Sequence, residues 1–87
     1  SQMEAGQVNV RLQPIPVLPI VERVLTDFRR QDAAHRFQLV SSPGLPFVLA
    51  DEAKLEVVLT HLLENASHFS PKGTTITVEV QNSAGDQ

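Results

Sequence analysis

Three polar side chains that can do chemistry recur at helical spacing in the second half of the chain. His61, Asn65 and His68 occupy positions i, i+4 and i+7, which places them along one flank of a helix. An amide oxygen and an imidazole nitrogen can each accept a hydrogen bond, and imidazole also binds metals. However, residues seven apart lie about 10 Å apart along a helix axis, too far to share one zinc ion without help. The spacing therefore predicts a polar flank, which is either an ordinary exposed edge or part of a binding cleft.

The segment that must position these side chains comprises residues 51–73. Its apolar residues form one stripe of an amphipathic helix: Leu55, Val58, Leu59, Leu62, Leu63, Ala66 and Phe69. Asp51 is placed to cap this helix by accepting from a free backbone N–H, and Ser70, Pro71 and Gly73 provide the stop. We expect the whole stripe to be buried, so that Leu62→Ala threatens the fold while Asn65→Ala leaves it standing.

The first part of the chain predicts one strand and one helix. Alternating apolar and polar residues over 8–12 indicate a strand with one buried face, which the prolines that follow would end. Apolar residues at helical spacing over 19–34 then predict a second amphipathic helix. Pro19 is tolerated only in the first turn, where its missing N–H would have had no partner.

Three further strands complete the expected fold. Arg36–Ser41 and residues 47–50 have strand patterns and are separated by a turn cluster at 42–46, which suggests a hairpin. Residues 76–80 alternate cleanly and predict a final strand. The order strand, helix, strand, strand, helix, strand favours an α+β fold, a two-layer sandwich in which both helices cover one face of a mixed or antiparallel sheet.

Length and composition restrict the class of protein. Eighty-seven residues form one domain at most, and 41% hydrophobic with 20% charged residues is typical of a globular chain. The absence of cysteine excludes disulfides and thiolate zinc sites, and the net charge of −3 argues against nucleic-acid binding. Polar residues at 1–6 and 83–87 are expected to be tails that flank a single domain over 7–82.

The central helix and its flanks resemble the N box of the sensor histidine kinase ATP-binding domain, in the superfamily shared with gyrase-type ATPases. That motif contains Asp, a basic residue and Leu, then Leu-Leu-x-Asn-Ala, an aromatic residue, Ser-Pro, Gly and a strand. The matching elements here are Asp51, Lys54-Leu55, Leu62-Leu63-Glu64-Asn65-Ala66, Phe69, Ser70-Pro71, Gly73 and strand 76–80. The resemblance extends more weakly over most of residues 8–82.

The resemblance implies an ATP site to which this helix contributes four residues. Asn65 would help to bind the Mg²⁺ that bridges the nucleotide phosphates, and oxygen ligands suit that ion. His61, His68 and Phe69 would line the ATP site, although the family usually has a second Asn, a Lys or Arg, and often a Tyr at these positions. A partly charged His68 would make a weaker, pH-dependent phosphate contact, and Phe69 cannot donate a hydrogen bond. No catalytic residue is assigned.

Other motifs of the kinase family do not occur in the sequence. The Asp-x-Gly-x-Gly box that contacts adenine, the lid, the later Gly-rich box and the phosphorylatable His on its dimerising helix are missing, and the four glycines are isolated. The resemblance therefore implies a fragment of a cytoplasmic two-component sensor histidine kinase. Its parent would use Mg–ATP and act on a response regulator, whereas the fragment alone is expected to be inactive.

A second hypothesis belongs to a different class of protein. The chain could be a non-catalytic α+β interaction module in which the N box is a relic. An exposed strand edge of a small sheet could then pair with a second copy and form a homodimer.

Overall fold

The structure is a computed structural model that describes residues 9–82. Its elements in chain order are β1 (Gln13–Ile15), α1 (Val17–Gln31), β2 (Arg36–Ser41), β3 (Val48–Ala50), α2 (Glu52–Phe69) and β4 (Thr75–Val80). The α+β class and the predicted order of strands and helices are confirmed. The tails predicted at 1–6 and 83–87 lie outside the described residues.

The four strands form two small sheets. Strand β1 pairs antiparallel with β3, with Gln13 opposite Ala50, and β2 pairs parallel with β4, with Arg36 opposite Thr75. The predicted hairpin between β2 and β3 is wrong, because these two strands belong to different sheets. A parallel pair needs a long crossover connection, and α2 lies in the connection between β2 and β4.

The position of the first strand also differs from the prediction. Residues 9–12 are not a strand, and β1 begins at Gln13 and includes Pro14. Proline has no N–H for a ladder, but a strand in a two-stranded sheet has one edge without a partner strand. Val10 and Leu12, which the alternation assigns to a buried face, are exposed instead, and Ile15 is the buried residue of this strand.

The core lies between both helices and the parallel sheet. It consists of three residues of α1 and one each from β2, α2 and β4: Val21, Val24, Leu25, Phe37, Leu63 and Ile76. Helix α1 begins two residues before Pro19, so the proline lies in the first turn as predicted. The two helices therefore share one core, as the sequence predicts.

Contacts between the helices show that they run in the same direction. The guanidinium of Arg23 lies 3.3 Å from a carboxylate oxygen of Glu52 and 3.2 Å from one of Glu56, near the start of α2. At the other end, the side chain of His35, just after α1, lies 2.9 Å from the carbonyl oxygen of Ser70, just after α2. The exposed ion pairs of Arg23 contribute little to stability, but together with the contact of His35 they show how the two helices are aligned.

Candidate functional site

Helix α2 is capped as the sequence predicts. One carboxylate oxygen of Asp51 accepts from the backbone N–H of Lys54 at 3.2 Å, and the other accepts from the backbone N–H of Arg11 at 2.9 Å. The bonds from Arg11 and then Lys54 lower the pKa of Asp51 below its ordinary value, because both donors favour the ionised form. Asp51 therefore starts the helix and also fastens the segment before β1 to it.

The end of α2 is equally well defined. The backbone N–H of Ser70 donates to the carbonyl of Ala66 at 2.9 Å, and the backbone there becomes extended. Gly73 has a φ of +87°, a conformation that favours glycine, and its N–H donates to the carbonyl of Ala34 at 2.7 Å. The predicted stop is confirmed, and it ties the end of α2 to the turn after α1.

The apolar stripe of α2 is divided between two faces. Leu63 is only 4% exposed and packs in the core, with Leu59 and Ala66 partly buried beside it. In contrast, Leu62 is 60% exposed and Phe69 is 77% exposed. The prediction that the whole stripe is buried is wrong, because among residues 9–82 no element covers the side away from α1 and the parallel sheet.

The exposed part of the stripe adjoins the candidate magnesium ligand. At 100° per residue, Val58, Leu62, Asn65 and Phe69 lie within an arc of about 60°. We call these four residues the outer face. Asn65 is exposed at one edge of this arc and, along the helix axis, lies between Leu62 and Phe69; its side chain forms no hydrogen bond within residues 9–82. The amide is therefore not turned into the protein interior.

His61 and His68 lie on the exposed side of α2 next to the outer face. The ring of His68 packs edge-on against that of Phe69, with 4.7 Å between the ring centroids. His61 lines a shallow groove of about 350 Å³ together with Glu56, Thr60 and Glu64. The four predicted site residues thus share one side of the helix, but His61 contributes to a groove that the other three do not line.

A second shallow groove continues the outer face towards the start of α2. It is lined by Val10, Leu12, Leu49 and Val58, among other residues, and all four of these side chains are exposed. Large contiguous apolar patches are typical of interaction sites, so this surface is a candidate for one. Within the described residues, no group of three or more His, Asp or Glu side chains could hold a metal ion.

Sequence reasoning assigned no role to His35, which the structure places at the junction of the two helix ends. Its side chain is 5% exposed, and Nδ1 lies 2.8 Å from a carboxylate oxygen of Asp32. The signal available in the sequence is an acidic residue three positions before a histidine, directly after a helix. That signal is local, whereas the contact with Ser70 joins residues far apart in the chain.

Comparison with curated proteins finds sensor kinases. The adaptive-response sensory kinase SasA of Synechococcus elongatus is 35% identical over 74 residues, which are 80% of this chain and 19% of that protein. The sensor protein KdpD of Clostridium acetobutylicum is 26% identical over 86 residues, 99% of this chain and 10% of KdpD. The chain thus spans between a tenth and a fifth of the length of these relatives. No family model matches the chain.

Comparison of the fold with solved structures also finds histidine kinases. The cytoplasmic segment of histidine kinase QseC superposes with a TM-score of 0.68 at 19% identity, covering 86% of this chain and 50% of that one. The Acinetobacter baumannii histidine kinase AdeS also gives 0.68, at 26% identity, covering 85% of this chain and 38% of that one. The fold is therefore that of part of a histidine kinase.

The sequence and the fold of the chain are both similar to those of histidine kinases. The chain is a homologue of sensor histidine kinases and corresponds to a segment of them, so the resemblance that its sequence predicts is confirmed. Among residues 9–82, neither helix is long and apolar enough to cross a membrane.

Proposed function

We propose that this chain forms the N-box wall of the Mg–ATP site of a sensor histidine kinase, which autophosphorylates a histidine and acts on a response regulator in the cytoplasm. The observation that carries the proposal is the placement of Asn65. Its amide is exposed and unpaired within the described residues, and it lies between the uncovered side chains of Leu62 and Phe69. A polar group with this setting suits a cleft that further segments close.

The chemistry of the exposed amide fits a magnesium ion bound to phosphates. Mg²⁺ takes oxygen ligands in octahedral geometry and keeps several waters, so one neutral amide oxygen is sufficient when phosphates supply other ligands. His68 would then face the phosphates, and Phe69, whose ring it packs against, would line the site beside it. His61 lies on the neighbouring groove and would contribute to the wall of the site rather than to the metal.

The apolar part of the outer face supports the same proposal. Burying a large aliphatic or aromatic side chain contributes about 1.5–3 kcal/mol, and Val58, Leu62 and Phe69 are largely exposed. Further kinase segments that covered these side chains would gain that energy and would close a cleft over Asn65. Without them, one wall cannot supply enough preorganised contacts to offset the entropy of association. The 87-residue chain should therefore bind Mg–ATP no better than about millimolar.

The direct test uses the longer kinase that contains this segment. Asn65→Ala should reduce autophosphorylation with Mg–ATP by at least about tenfold, the scale on which loss of even a residue supporting a metal ligand is felt. Gln38→Ala is the matched control, since it removes an exposed amide on β2, away from α2. Full autophosphorylation by the Asn65→Ala kinase would refute the proposal, as would micromolar binding of Mg–ATP by the 87-residue chain alone.

A non-catalytic interaction module is the alternative, and the exposed apolar surface is the observation that favours it. In that case a second copy would cover the outer face or extend a strand edge, and light scattering would detect a dimer. Leu62→Gln should then abolish a dimer that covers the outer face, whereas a dimer that survives this substitution would pair through a strand edge. The gene discriminates between the two functions: a reading frame that continues into Asp-x-Gly-x-Gly supports the kinase, and a stop codon after Gln87 supports the module.

A further inference from the structure

The side chain of His35 is held between two hydrogen-bond acceptors. Nδ1 lies 2.8 Å from Oδ2 of Asp32, and Nε2 lies 2.9 Å from the backbone carbonyl oxygen of Ser70. An ionised carboxylate and a carbonyl can only accept, whereas a neutral imidazole has one N–H and one bare nitrogen. Both contacts are therefore satisfied only when both ring nitrogens carry a proton, so this geometry selects the imidazolium.

The two acceptors mark the ends of the two helices. The backbone N–H of Asp32 donates to the carbonyl of Phe28 at the end of α1, and that of Ser70 donates to Ala66 at the end of α2. The C-terminal end of a helix carries partial negative charge, and here two such ends and a carboxylate converge. A cation between them is stabilised by all three.

The groups that face the ring of His35 come from the turn after α1, the end of α2 and strand β2. Asp32 is the titratable group that faces the ring from the turn, the carbonyls of Ser70 and Pro71 face it from the end of α2, and the ring of Phe37 lies edge-on from β2 at 6.5 Å. The Ser70 carbonyl, and after it the Asp32 carboxylate, raise the pKa of His35, although burial opposes them. The hydrogen bond from His35 is also the largest cause of the lowered pKa of Asp32.

Two further contacts act on the same junction. The backbone N–H of Ala34 donates to the other carboxylate oxygen of Asp32 at 2.8 Å. The buried hydroxyl of Ser67 in α2 faces Asp32 and helps to lower its pKa, although it forms no hydrogen bond of normal geometry within residues 9–82. Asp32 is thus held in place for His35 by the backbone of Ala34, with the hydroxyl of Ser67 on its α2 side.

We propose that His35 is a positioning residue: as an imidazolium it clamps the end of α2 to the turn after α1, beside the backbone bond from Gly73 to Ala34, and its deprotonation at higher pH removes one of its two hydrogen bonds and loosens that end. Ser70 directly follows Phe69 and lies less than two helical turns after Asn65. This loosening therefore reaches the part of the outer face that carries Asn65 and Phe69, which are proposed to bind the nucleotide. This consequence for ATP rests on the proposed function, whereas the clamp itself does not.

The expected pH dependence follows from the two shifted groups. The pKa of His35 is raised in the folded state, so its stabilising effect is complete below its ordinary value of 6.5 and is lost as the pH rises through the raised value. The pKa of Asp32 is lowered, so its effect is present above the ordinary value of 3.8 and is lost as the pH falls through the lowered one. The clamp is therefore complete between about 4 and 6.5.

Nitrogen-resolved NMR of the 87-residue chain tests the clamp without any ligand. At pH 6, both ring nitrogens of His35 should carry protons, and the ring should titrate above 6.5. A ring with one bare nitrogen at that pH, or one that titrates at or below 6.5, overturns the proposal.

Melting temperatures measured from pH 6 to pH 9 provide the matched comparison. In the unmodified chain the melting temperature should fall over this range, and Asp32→Asn should lower it at pH 6 and flatten the fall. Asp27→Asn removes an exposed carboxylate of α1 that pairs with Arg30, and it should keep the pH dependence of the unmodified chain. An Asp32→Asn profile parallel to that of Asp27→Asn overturns the clamp.

The effect on nucleotide binding is measured in the longer kinase. The KM for Mg–ATP should rise with pH from 6 to 9, and this rise should be smaller in Asp32→Asn than in Asp27→Asn. Identical pH profiles of KM in the two variants overturn the positioning role. An unchanged autophosphorylation rate in Asn65→Ala instead overturns the proposed function, while the NMR and melting results continue to support the clamp.

Discussion

The two faces of α2 have similar side chains and different surroundings. On the inner face, Leu63 packs between α1 and the parallel sheet, with Leu59 and Ala66 beside it. On the outer face, Leu62 and Phe69 are exposed, and Asn65 lies between them. The difference shows that an apolar side chain of this helix is not buried by its own hydrophobicity alone. It also identifies which part of the helix needs a partner.

The largest expected effect separates two adjacent leucines. Leu63→Ala should lower the free energy of unfolding by about 2–5 kcal/mol, since it opens a cavity in a packed core. Leu62→Ala should change it by less than about 1 kcal/mol, because its side chain is mostly in solvent already. Urea denaturation of the 87-residue chain measures both values.

Equal losses of unfolding free energy in Leu63→Ala and Leu62→Ala would contradict the difference between the inner and outer faces. They would mean that the outer face is covered in solution, and the stability of the chain would then depend on its concentration. In the longer kinase, we expect Leu62→Ala to become more costly than in the isolated segment, because additional segments would bury that side chain.

An intermediate effect is expected at the start of the helix. Asp51→Ala removes the acceptor for Arg11 and Lys54, so it should lower the melting temperature and free Val10 and Leu12 from the outer face. Because the pKa of Asp51 is lowered, its stabilising effect is present above pH 3.8 and is lost as the pH falls through the lowered value. Acid unfolding followed by circular dichroism should show this loss in the unmodified chain.

Glu64→Gln provides the control for Asp51, since it removes an exposed carboxylate from the same helix. It should leave the acid transition unchanged. An Asp51→Ala chain that unfolds in acid like the unmodified chain would show that the cap does not hold the preceding segment.

The smallest expected effect concerns the polar residue of the outer face. Asn65→Ala should change the free energy of unfolding by no more than about 0.5 kcal/mol, because nothing within the described residues depends on its amide. Thermal melts in which Asn65→Ala costs as much as Leu63→Ala would assign Asn65 a structural role. The outer face would then be part of the fold rather than a site.

Local features of the structure follow directly from the sequence. The periodicity of residues 51–73 locates α2, and Asp51 caps it as its type and place predict. The class, the order of the elements and the place of Pro19 in the first turn of α1 are likewise predictable. Each of these depends on residues close together in the chain.

Non-local features could not be predicted from the pattern. Periodicity shows which side of α2 is apolar, but it does not show how much of that side the neighbouring elements cover. It therefore could not predict that Leu63 is buried and Leu62 is exposed. The separate sheets of β2 and β3 and the place of Pro14 in a strand depend on which segments meet. The contact of His35 with Ser70 has the same origin, since the two residues adjoin different helices.

The parallel pairing of β2 with β4 has a consequence for synthesis of the chain on the ribosome. Each rung of this ladder joins a residue of β2 to one of β4, and β3 and all of α2 lie between them. Contacts over such a distance in sequence form late, because the intervening loop must close first. At about 5–20 residues per second, several seconds pass between the emergence of Phe37 from the ribosome and that of its partner Ile76.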